Sequence, residues 1–385
     1  MTVFSGGIHQ NTAALKNVLA ARGVVAPHTQ QPFSEAMLLG IGGGLGAGYI
    51  LWEFTREAHP LIVLGFRNRW NYGAEHMMAL CERLNLAPVL KETAGAKGAA
   101  ANLEAGLESG PVVAWVDKAH MPHQQLPDSL KGYSVHIIGI HGRDGDEFVV
   151  DDLAAQHYRV SAEVMAAGRG RIGSDKNRLI IPGQPDKIDL PGAINTGITD
   201  HLEHLGRDSE SFALPVYKKW AKTFTDTKNK KGWPVVFKNG LGLYITLRSV
   251  FEGVALDGTD GAGLRALYAD FLDEAAGVLG KSALKDAAAS YRAVADLWRG
   301  FAEAALPGAL APTAELMRKR YAHYRANEQD AMRPISIQLE ELAEEYSSNP
   351  PIDDVGALFA DLGTRIQAIY EAEVAALDTL RAASS

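Results

Sequence analysis

Residues 133–152, YSVHIIGIHGRDGDEFVVDD, decide the fold class of the first half of the chain. Two β-rich runs, Tyr133–His141 and Glu147–Asp152, flank the turn sequence Gly142–Gly145, and this pattern predicts an antiparallel hairpin. Segments with helical periodicity come before the hairpin. Helices followed by antiparallel strands are typical of an α+β fold, whereas a doubly wound parallel sheet would alternate the two kinds of element.

The length of the hairpin loop decides which side chains face each other. A three-residue loop, Arg143–Gly145, would place His136 directly opposite Asp152. A carboxylate in that position would fix the tautomer of the imidazole, as the orienting residue of a catalytic base does. A two-residue turn at Asp144-Gly145 would instead slip the register by one residue and put Asp152 on the other face. The spacing leaves both registers open.

The segment before the hairpin contains two helical patterns and a glycine tract. Apolar residues at helical spacing predict a helix over Asn11–Arg22, and Ser34 is placed to cap a second helix. The tract Gly40–Gly48 matches a dinucleotide-binding fingerprint loosely, and it lacks the Lys-Ser/Thr pair of a P-loop. It therefore predicts a tight turn. Further strands are predicted at Leu61–Phe66, Ala87–Glu92, Pro111–Val116 and Leu179–Ile181, and helices at Tyr72–Leu84, Ala96–Leu107 and Ser161–Gly168.

Prolines and glycines gather at residues 182–196, a composition typical of a linker. The chain after it has helical periodicity with alanine-rich, mixed-charge exposed faces. We therefore predict a first domain over residues 1–182, a linker over residues 183–196 and an all-α domain over residues 197–385. The helices predicted in the last domain are Leu264–Leu279, Ser282–Ala305, Thr313–Ala326, Ile335–Tyr346 and Val355–Leu380.

Composition argues against several classes of protein. Lys+Arg number 38 against 46 Asp+Glu, and the net charge of −8 offers no basic surplus for binding nucleic acid. The amino terminus lacks the pattern of a secretory signal, and no apolar run approaches the roughly 18 residues that span a bilayer. We expect a cytoplasmic protein without a membrane partner. The single cysteine, Cys81, excludes an intramolecular disulfide and a zinc site built from several thiolates.

Two polar segments of the second half carry residue types that bind ligands. Residues 200–204, DHLEH, have metal-ligating side chains but no matched third ligand, so an exposed helix start is favoured and no metal or other cofactor is expected. Residues 228–234, KNKKGWP, form a basic stretch beside aromatic residues. Such a loop is either simply solvated or holds an anionic group, for example a phosphopantetheine arm or a carrier-protein helix.

Several stretches together resemble one protein family. In the first half they are IHQNTAALKNVL at residues 8–19, FSEAMLLGIGGGLGAGY at residues 33–49, the His136 strand with VVDDLA, and RIGSDKNRL at residues 171–179. These look like the amino-terminal domain family of butirosin biosynthesis protein H. In the second half, DTKNKKGWPVVF at residues 226–237 and LRALYADFLDEAA at residues 264–276 resemble the helical domain of unknown function that often follows it.

The resemblance implies a papain-like core similar to the peptidase domains of bacteriocin exporters. In such a fold a Cys at the start of the first long helix attacks an acyl group, a His on a central strand activates it, and an Asp or Asn orients the His. The named member is similar to an acyltransferase that moves an acyl group from a carrier-protein thioester to an amine of an aminoglycoside. Carried onto this sequence, the His is His136 and the orienting residue is Asp152.

One position departs from the family pattern. The His of the opening motif is usually followed by Cys, but His9 is followed by Gln10. Glutamine has no nucleophilic oxygen or sulfur, which closes the route through a thiol acyl-enzyme at that position. Cys81 lies in an ordinary helical stretch and is expected to be a small buried residue. Thr12 or Ser5 would be the alternative, as a hydroxyl nucleophile near His136.

Two functional hypotheses follow. The first is an acyltransferase of secondary metabolism, or a related amidohydrolase, that has no Cys nucleophile. His136, oriented by Asp152, would be the general base, and Gln10 or the backbone amides of the first helix would donate to the developing oxyanion. The second is a non-catalytic papain-like protein that binds an acyl, peptidyl or carrier-linked ligand. The residues expected to line the substrate site are His9, Thr12, Glu35 and Gly44.

The expected partners are an acyl carrier protein or a small acyl or amine substrate. The helical domain would serve as a dimer interface, a lid or a dock for a carrier protein, and its periodicity does not separate these roles. A homodimer is therefore one expectation. A weaker third hypothesis is a metal site made from His9, His136 and a carboxylate.

Overall fold

The computed structural model describes residues 6–52 and 60–384 of the chain. Its α+β class, the antiparallel sheet of the first half and the helical character of the second half are confirmed. The chain forms two compact units, each assembled from three segments. Unit 1 comprises Met1–Leu38, Met77–Ala193 and Arg320–Ser336, and unit 2 comprises Leu39–His76, Ile194–Lys319 and Ile337–Ser385.

Eight strands are described, in two sheets. They are β1 (Leu45–Trp52), β2 (Leu61–Arg67), β3 (Val89–Lys91), β4 (Val112–Asp117), β5 (Val135–Asp144), β6 (Glu147–Asp151), β7 (Tyr158–Ser161) and β8 (Leu179–Ile181). In unit 1, six strands form one sheet in the order β3-β8-β4-β5-β6-β7, and every neighbouring pair is antiparallel. In unit 2, β1 and β2 form a separate antiparallel ribbon.

Helices make up most of the remaining described chain. The α-helices are α1 (Gln10–Ala21), α2 (Glu35–Ile41), α3 (Gly73–Arg83), α4 (Ala96–Glu108), α5 (Ala162–Gly170), α6 (Leu190–Leu205), α7 (Pro215–Thr223), α8 (Trp233–Val236), α9 (Leu243–Ala255), α10 (Arg265–Leu279), α11 (Leu284–Ala305), α12 (Ala311–Arg325), α13 (Gln329–Glu345) and α14 (Val355–Ser384). Short 3₁₀ turns lie at Lys118–His120, Pro122–Gln124, Asp128–Leu130, Gly173–Asp175 and Gly308–Leu310. No helix in the described part of the chain combines the length and apolarity needed to cross a bilayer.

The central strands of unit 1 are mostly buried, and helices pack against them. All six residues of β4 are buried, and Ile138 and Ile140 of β5 join Val112, Ala114 and Val116 of β4 in one core. Helix α1 contacts β5, and α5 contacts β4. This burial fixes β5 and the start of α1 as rigid supports, and both carry candidate site residues.

The hairpin adopts neither of the two registers that the sequence suggested. Asp144 pairs with Glu147, so Gly145 and Asp146 form the turn, and Gly145 has a φ of +62°. A β-bulge between Ile140 and Gly142 then shifts the pairing by one residue. The predicted placement of His136 directly opposite Asp152 is therefore wrong.

Two segments differ from the sequence interpretation. The glycine tract does turn, at Gly43 and Gly44 with φ values of +101° and +65°, but strand β1 begins inside the tract, at Leu45. The segment expected to be a linker is already helical from Leu190, where α6 begins. Proline and glycine near a helix start do not stop it, because the first-turn amides have no intrahelical partner to lose.

Candidate functional site

A buried carboxylate, Asp152, lies just after the end of β6 and contacts two histidines. Its Oδ1 lies 2.6 Å from Nε2 of His136, and its Oδ2 lies 2.8 Å from Nε2 of His123. Each of the three residues is 2% exposed. The contact between His136 and Asp152 that the sequence predicted is therefore present, although the register that led to the prediction is wrong.

The ladder explains how the contact arises without direct pairing. Gly139 pairs with Asp151, so continuing the ladder by one residue sets Asp152 opposite Ile138. His136 lies two residues along from Ile138 on the same face of β5. Diagonal neighbours on one face are within reach of long side chains, and the imidazole spans that gap.

The second histidine comes from the 3₁₀ turn at Pro122–Gln124, which follows the buried strand β4. Its neighbour Gln124 donates through Nε2 to Oδ2 of Asp152 at 2.7 Å. The His123 ring stacks on Tyr158 of β7, with ring centroids 3.9 Å apart and planes 10° apart. Neighbouring residues of one tight turn therefore present two donors to the same carboxylate oxygen.

The contacts of Asp152 determine its charge and the tautomers of both rings. Burial on its own raises the pKa of this carboxyl, but the adjacent His136 and the hydrogen bond from His123 outweigh burial and hold the pKa well below its usual range. An ionised carboxylate only accepts hydrogen bonds, so each imidazole must carry its hydrogen on Nε2. Nδ1 of His136 is then the basic nitrogen, and it makes no hydrogen bond to any residue that the structure describes.

Gln10 is the first residue of α1 and lies beside the His136 strand. Its Oε1 accepts from the backbone N–H of Ile137 at 3.2 Å. That N–H has no strand partner: the amide of Trp115, which pairs with Ile137, is directed to Arg178 on the opposite side of β4, so the Ile137 amide is directed away from β4. The β5–β6 pairing ends at Gly139, short of this position.

The anchored oxygen leaves the other half of the Gln10 amide available. Since Oε1 faces the Ile137 donor, the Nε2 group faces elsewhere, and it has no hydrogen-bond partner among the described residues. Gln10 is half-buried, unlike the fully buried His136. The two N–H bonds of the Gln10 Nε2 group thus lie at the start of α1, which is the positive end of the helix dipole, and beside Ile137.

Three further predicted residues cluster at the start of α1. Glu35, the first residue of α2, accepts from the backbone N–H of Ile8 at 2.9 Å and of His9 at 3.0 Å. Thr12 lies 3.3 Å from Glu35 Oε1 and 3.2 Å from Nδ1 of His9. Burial raises the pKa of Glu35, against the opposing effects of Lys16 and the two amides. The structure therefore brings His9, Thr12 and Glu35 together at the helix that carries Gln10.

Gly44 belongs to unit 2, whereas the other six predicted site residues belong to unit 1. It is the last residue of the turn after α2, and a Cβ at this position would lie 2.5 Å from the ring of Tyr268 and 2.8 Å from Nδ1 of His201. The geometry gives Gly44 a steric role in the core of unit 2.

The remaining candidates have structural surroundings. His201 and His204 are buried within α6, not exposed at a helix start as the sequence suggested, and His201 accepts from the Leu45 amide and contacts the Tyr291 hydroxyl. Within residues 6–52 and 60–384, no group of three or more His, Cys, Asp or Glu is arranged to hold a metal ion. Cys81 is fully buried in α3, and Ser5 lies outside the described residues.

A distant segment of unit 1 also reaches Asp152. The hydroxyl of Tyr324, near the end of α12, donates to the backbone carbonyl of Asp152 at 2.7 Å and accepts from Nε2 of Gln124 at 3.0 Å. The guanidinium of Arg320, one turn earlier, donates to the backbone carbonyl of Gln124.

Comparison with known proteins assigns both halves of the chain. Residues 9–153 match the family model described as Butirosin biosynthesis protein H, N-terminal, and residues 166–335 match a Domain of unknown function (DUF4872). The two matches, in this order, confirm the resemblance that the sequence motifs indicated. A comparison with curated proteins found no match.

The butirosin biosynthesis protein H N-terminal match includes Gln10, His123, His136 and Asp152, whereas Tyr324 falls in the second match. Sequence reasoning missed His123 and Gln124, which lie in the second short turn after the buried strand β4. Tyr324 gave no such signal, because it lies 172 positions from Asp152 along the chain.

Proposed function

We propose that the protein is a cytoplasmic acyltransferase of secondary metabolism, which forms an amide from a thioester donor without a covalent acyl-enzyme. The family name supports secondary metabolism, because it refers to a protein of butirosin biosynthesis. The start of helix α1 lies beside the strand that carries His136, as it would in a papain-like core, and this supports acyl transfer. The observation that carries the proposal is the buried His136–Asp152 pair next to the anchored amide of Gln10.

The proposed reaction is direct aminolysis. The amine nitrogen attacks the thioester carbonyl carbon, and Nδ1 of His136 takes the amine proton. The C–N bond forms, the C–S bond breaks, and the proton passes from His136 to the leaving thiolate. A thioester is already an activated acyl donor, so the protein needs to supply a base and oxyanion donors but no nucleophile.

Gln10 occupies the position where the family pattern has its nucleophile. We assign Gln10 the role of a hydrogen-bond donor to the oxyanion. Its Nε2 group, which no described residue binds, would donate to the carbonyl oxygen as negative charge develops there. The start of α1 adds the positive end of the helix dipole. Loss of one such donor in other enzymes lowers kcat by about 100-fold to 1000-fold. Carrier-protein thioesters and small acyl thioesters are both donors of this class.

The test is a thiol-release assay with acyl thioesters of N-acetylcysteamine and an aminoglycoside amine as acceptor, with amide product identified by mass spectrometry. We expect His136→Asn to lower turnover by at least about 100-fold. His141→Asn is the matched control, because His141 forms a second His–Asp pair, with Asp151, on the same two strands. Equal turnover in the wild type and His136→Asn would overturn the proposal.

The second candidate is a binding protein that has lost catalysis. It is favoured by Gln10, whose Oε1 is committed to the backbone N–H of Ile137 and which offers no nucleophilic atom. Such a protein would bind acyl thioesters, measured by calorimetry, and release no thiol over the same period. Amide product that depends on His136 would exclude this candidate.

A further inference from the structure

We propose that His123 is a positioning residue for His136, and that Tyr324 of the second matched region completes the same site. The inference rests on the proposed function for its effect on catalysis. The structural part concerns the orientation of the Asp152 carboxylate, and it can be tested without any substrate.

The carboxylate plane of Asp152 is set from its Oδ2 side. Nε2 of His123 donates to Oδ2 at 2.8 Å and Nε2 of Gln124 donates to it at 2.7 Å. With Oδ2 held by two donors, Oδ1 can turn little, and His136, at 2.6 Å, is its one hydrogen-bond partner within the described part of the chain. The donors on Oδ2 therefore fix the direction in which Asp152 holds the His136 ring.

The His123 ring is itself fixed by aromatic contacts. It lies flat on Tyr158, with centroids 3.9 Å apart, and the Tyr158 hydroxyl donates to the backbone carbonyl of Tyr324 at 3.1 Å. Burial and the negative charge of Asp152 both raise the pKa of Tyr158, so its hydroxyl stays a neutral donor. The stack restrains rotation of His123 about χ2 and keeps Nε2 directed at Oδ2.

Tyr324 binds both ends of this arrangement. Its hydroxyl donates to the Asp152 carbonyl and accepts from the Gln124 side chain, so one atom links the backbone after β6 to the 3₁₀ turn. Arg320 binds the carbonyls of Gln124 and Gln125, and Gln125 has a left-handed φ of +50°. Residues 320–336 thus hold the turn that supplies His123 and Gln124.

The second matched region therefore contributes residues to the candidate site of the first. The family boundary at residue 153 separates Asp152 from Tyr324, although the compact unit that contains the candidate site includes both. A protein cut between the two matched regions would keep His136 and Asp152 and lose a residue that positions them.

The test is nuclear magnetic resonance of the full chain labelled with ¹⁵N-histidine, which reports the tautomer of each ring without substrate. In the wild type we expect His136 as the Nε2–H tautomer, with a strongly downfield Nε2 proton. His123→Phe removes a donor to Oδ2, so the His136 signals should shift to a mixture of tautomers. His123→Gln keeps an N–H donor and should restore the wild-type signals. His141→Phe is the control and should leave them unchanged.

Tyr324→Phe provides the second variant, because it removes one hydroxyl and keeps the ring. It should cause the same change in the His136 signals as His123→Phe. In the thioester assay both variants should lower kcat by at least about tenfold while KM stays constant. Wild-type His136 signals in both variants would overturn the inference. Altered signals in a protein that never turns over a thioester would support positioning and count against the proposed acyltransferase alone.

Discussion

His136 and Asp152 share a hydrogen bond of 2.6 Å between two side chains that are almost fully buried. The bond stabilises the fold, because a buried carboxylate that loses a donor and a buried imidazole N–H that loses its acceptor are both costly. The pair therefore contributes to stability as well as to chemistry, and the two contributions can be measured separately.

Replacing Asp152 with Asn should lower the free energy of unfolding by about 3 kcal/mol at pH 7, because it removes one member of a buried charged network. The folded pKa of Asp152 is lowered. The ionised Asp152 therefore makes its full contribution to the free energy of unfolding above the unfolded pKa of about 3.9. This contribution is lost as the pH falls below that value. Urea unfolding at pH 7 and near pH 3 should show the difference shrinking in acid. A variant as stable as the wild type at pH 7 would contradict the buried network.

Cys81 should be unreactive in the native protein. The side chain is fully buried, and burial, with a smaller effect of Glu82, raises the pKa of the thiol to about 12. Ellman's reagent should label it only after denaturation. Cys81→Ala should also retain thioester turnover. Rapid labelling of the folded chain would show that the thiol is available as a nucleophile.

Gln10→Cys should create a reactive thiol. The new side chain would lie at the first position of α1, beside the residue that follows His136, where the helix dipole favours a thiolate. In the Cys81→Ala background, iodoacetamide should alkylate it at neutral pH, and adding His136→Ala should slow the alkylation by about tenfold or more. Equal rates with and without His136 would mean that the two positions do not converge.

His204 should make unit 2 sensitive to acid. Burial, with a smaller effect of Arg207, lowers its pKa to about 4. Between about pH 6.5 and pH 4 the unfolded chain binds a proton at His204 that the folded protein does not bind. The free energy of unfolding is therefore highest above the unfolded pKa of about 6.5 and decreases as the pH drops toward 4. The His204→Phe variant should lose less stability than the wild type between pH 7 and pH 5 in urea unfolding. The buried His201, whose pKa is also lowered by burial, contributes to the remaining loss in both proteins.

Gly44→Ala should destabilise the protein by about 3 kcal/mol, because it combines a left-handed φ of +65° with a steric clash against Tyr268 and His201. Gly145→Ala is the matched control. Its φ is +62° but nothing lies within 4 Å of the added Cβ, so the cost should be about 1 kcal/mol. Equal losses of melting temperature in the two variants would contradict the steric role of Gly44.

Local patterns predicted much of the fold. The helix at Asn11–Arg22 and the hairpin around Gly145 were predictable because apolar spacing and turn residues act over a few positions. Strand β1 was not, since glycines interrupt the alternation that identifies a strand and its burial depends on residues far along the chain. The contact of His136 with Asp152 was predicted through the wrong register, because a bulge cannot be read from spacing.

The candidate site was predictable only in part, for a related reason. His136 and Asp152 lie 16 positions apart on one hairpin, so strand geometry alone brings them close. His123 enters from a turn, and Tyr324 enters from a helix 172 positions beyond Asp152. No local rule specifies such contacts, because they depend on how separate segments assemble into unit 1.

Acyl transfer at Gln10, His136 and Asp152 without an acyl-enzyme is tested most directly by intact-protein mass spectrometry during turnover of an acyl thioester with an amine acceptor. The amide product should accumulate while the mass of the protein stays that of the unmodified chain, in the wild type and in Cys81→Ala alike. An acyl adduct that forms at the rate of turnover, on Thr12 or on Cys81, would contradict this mechanism.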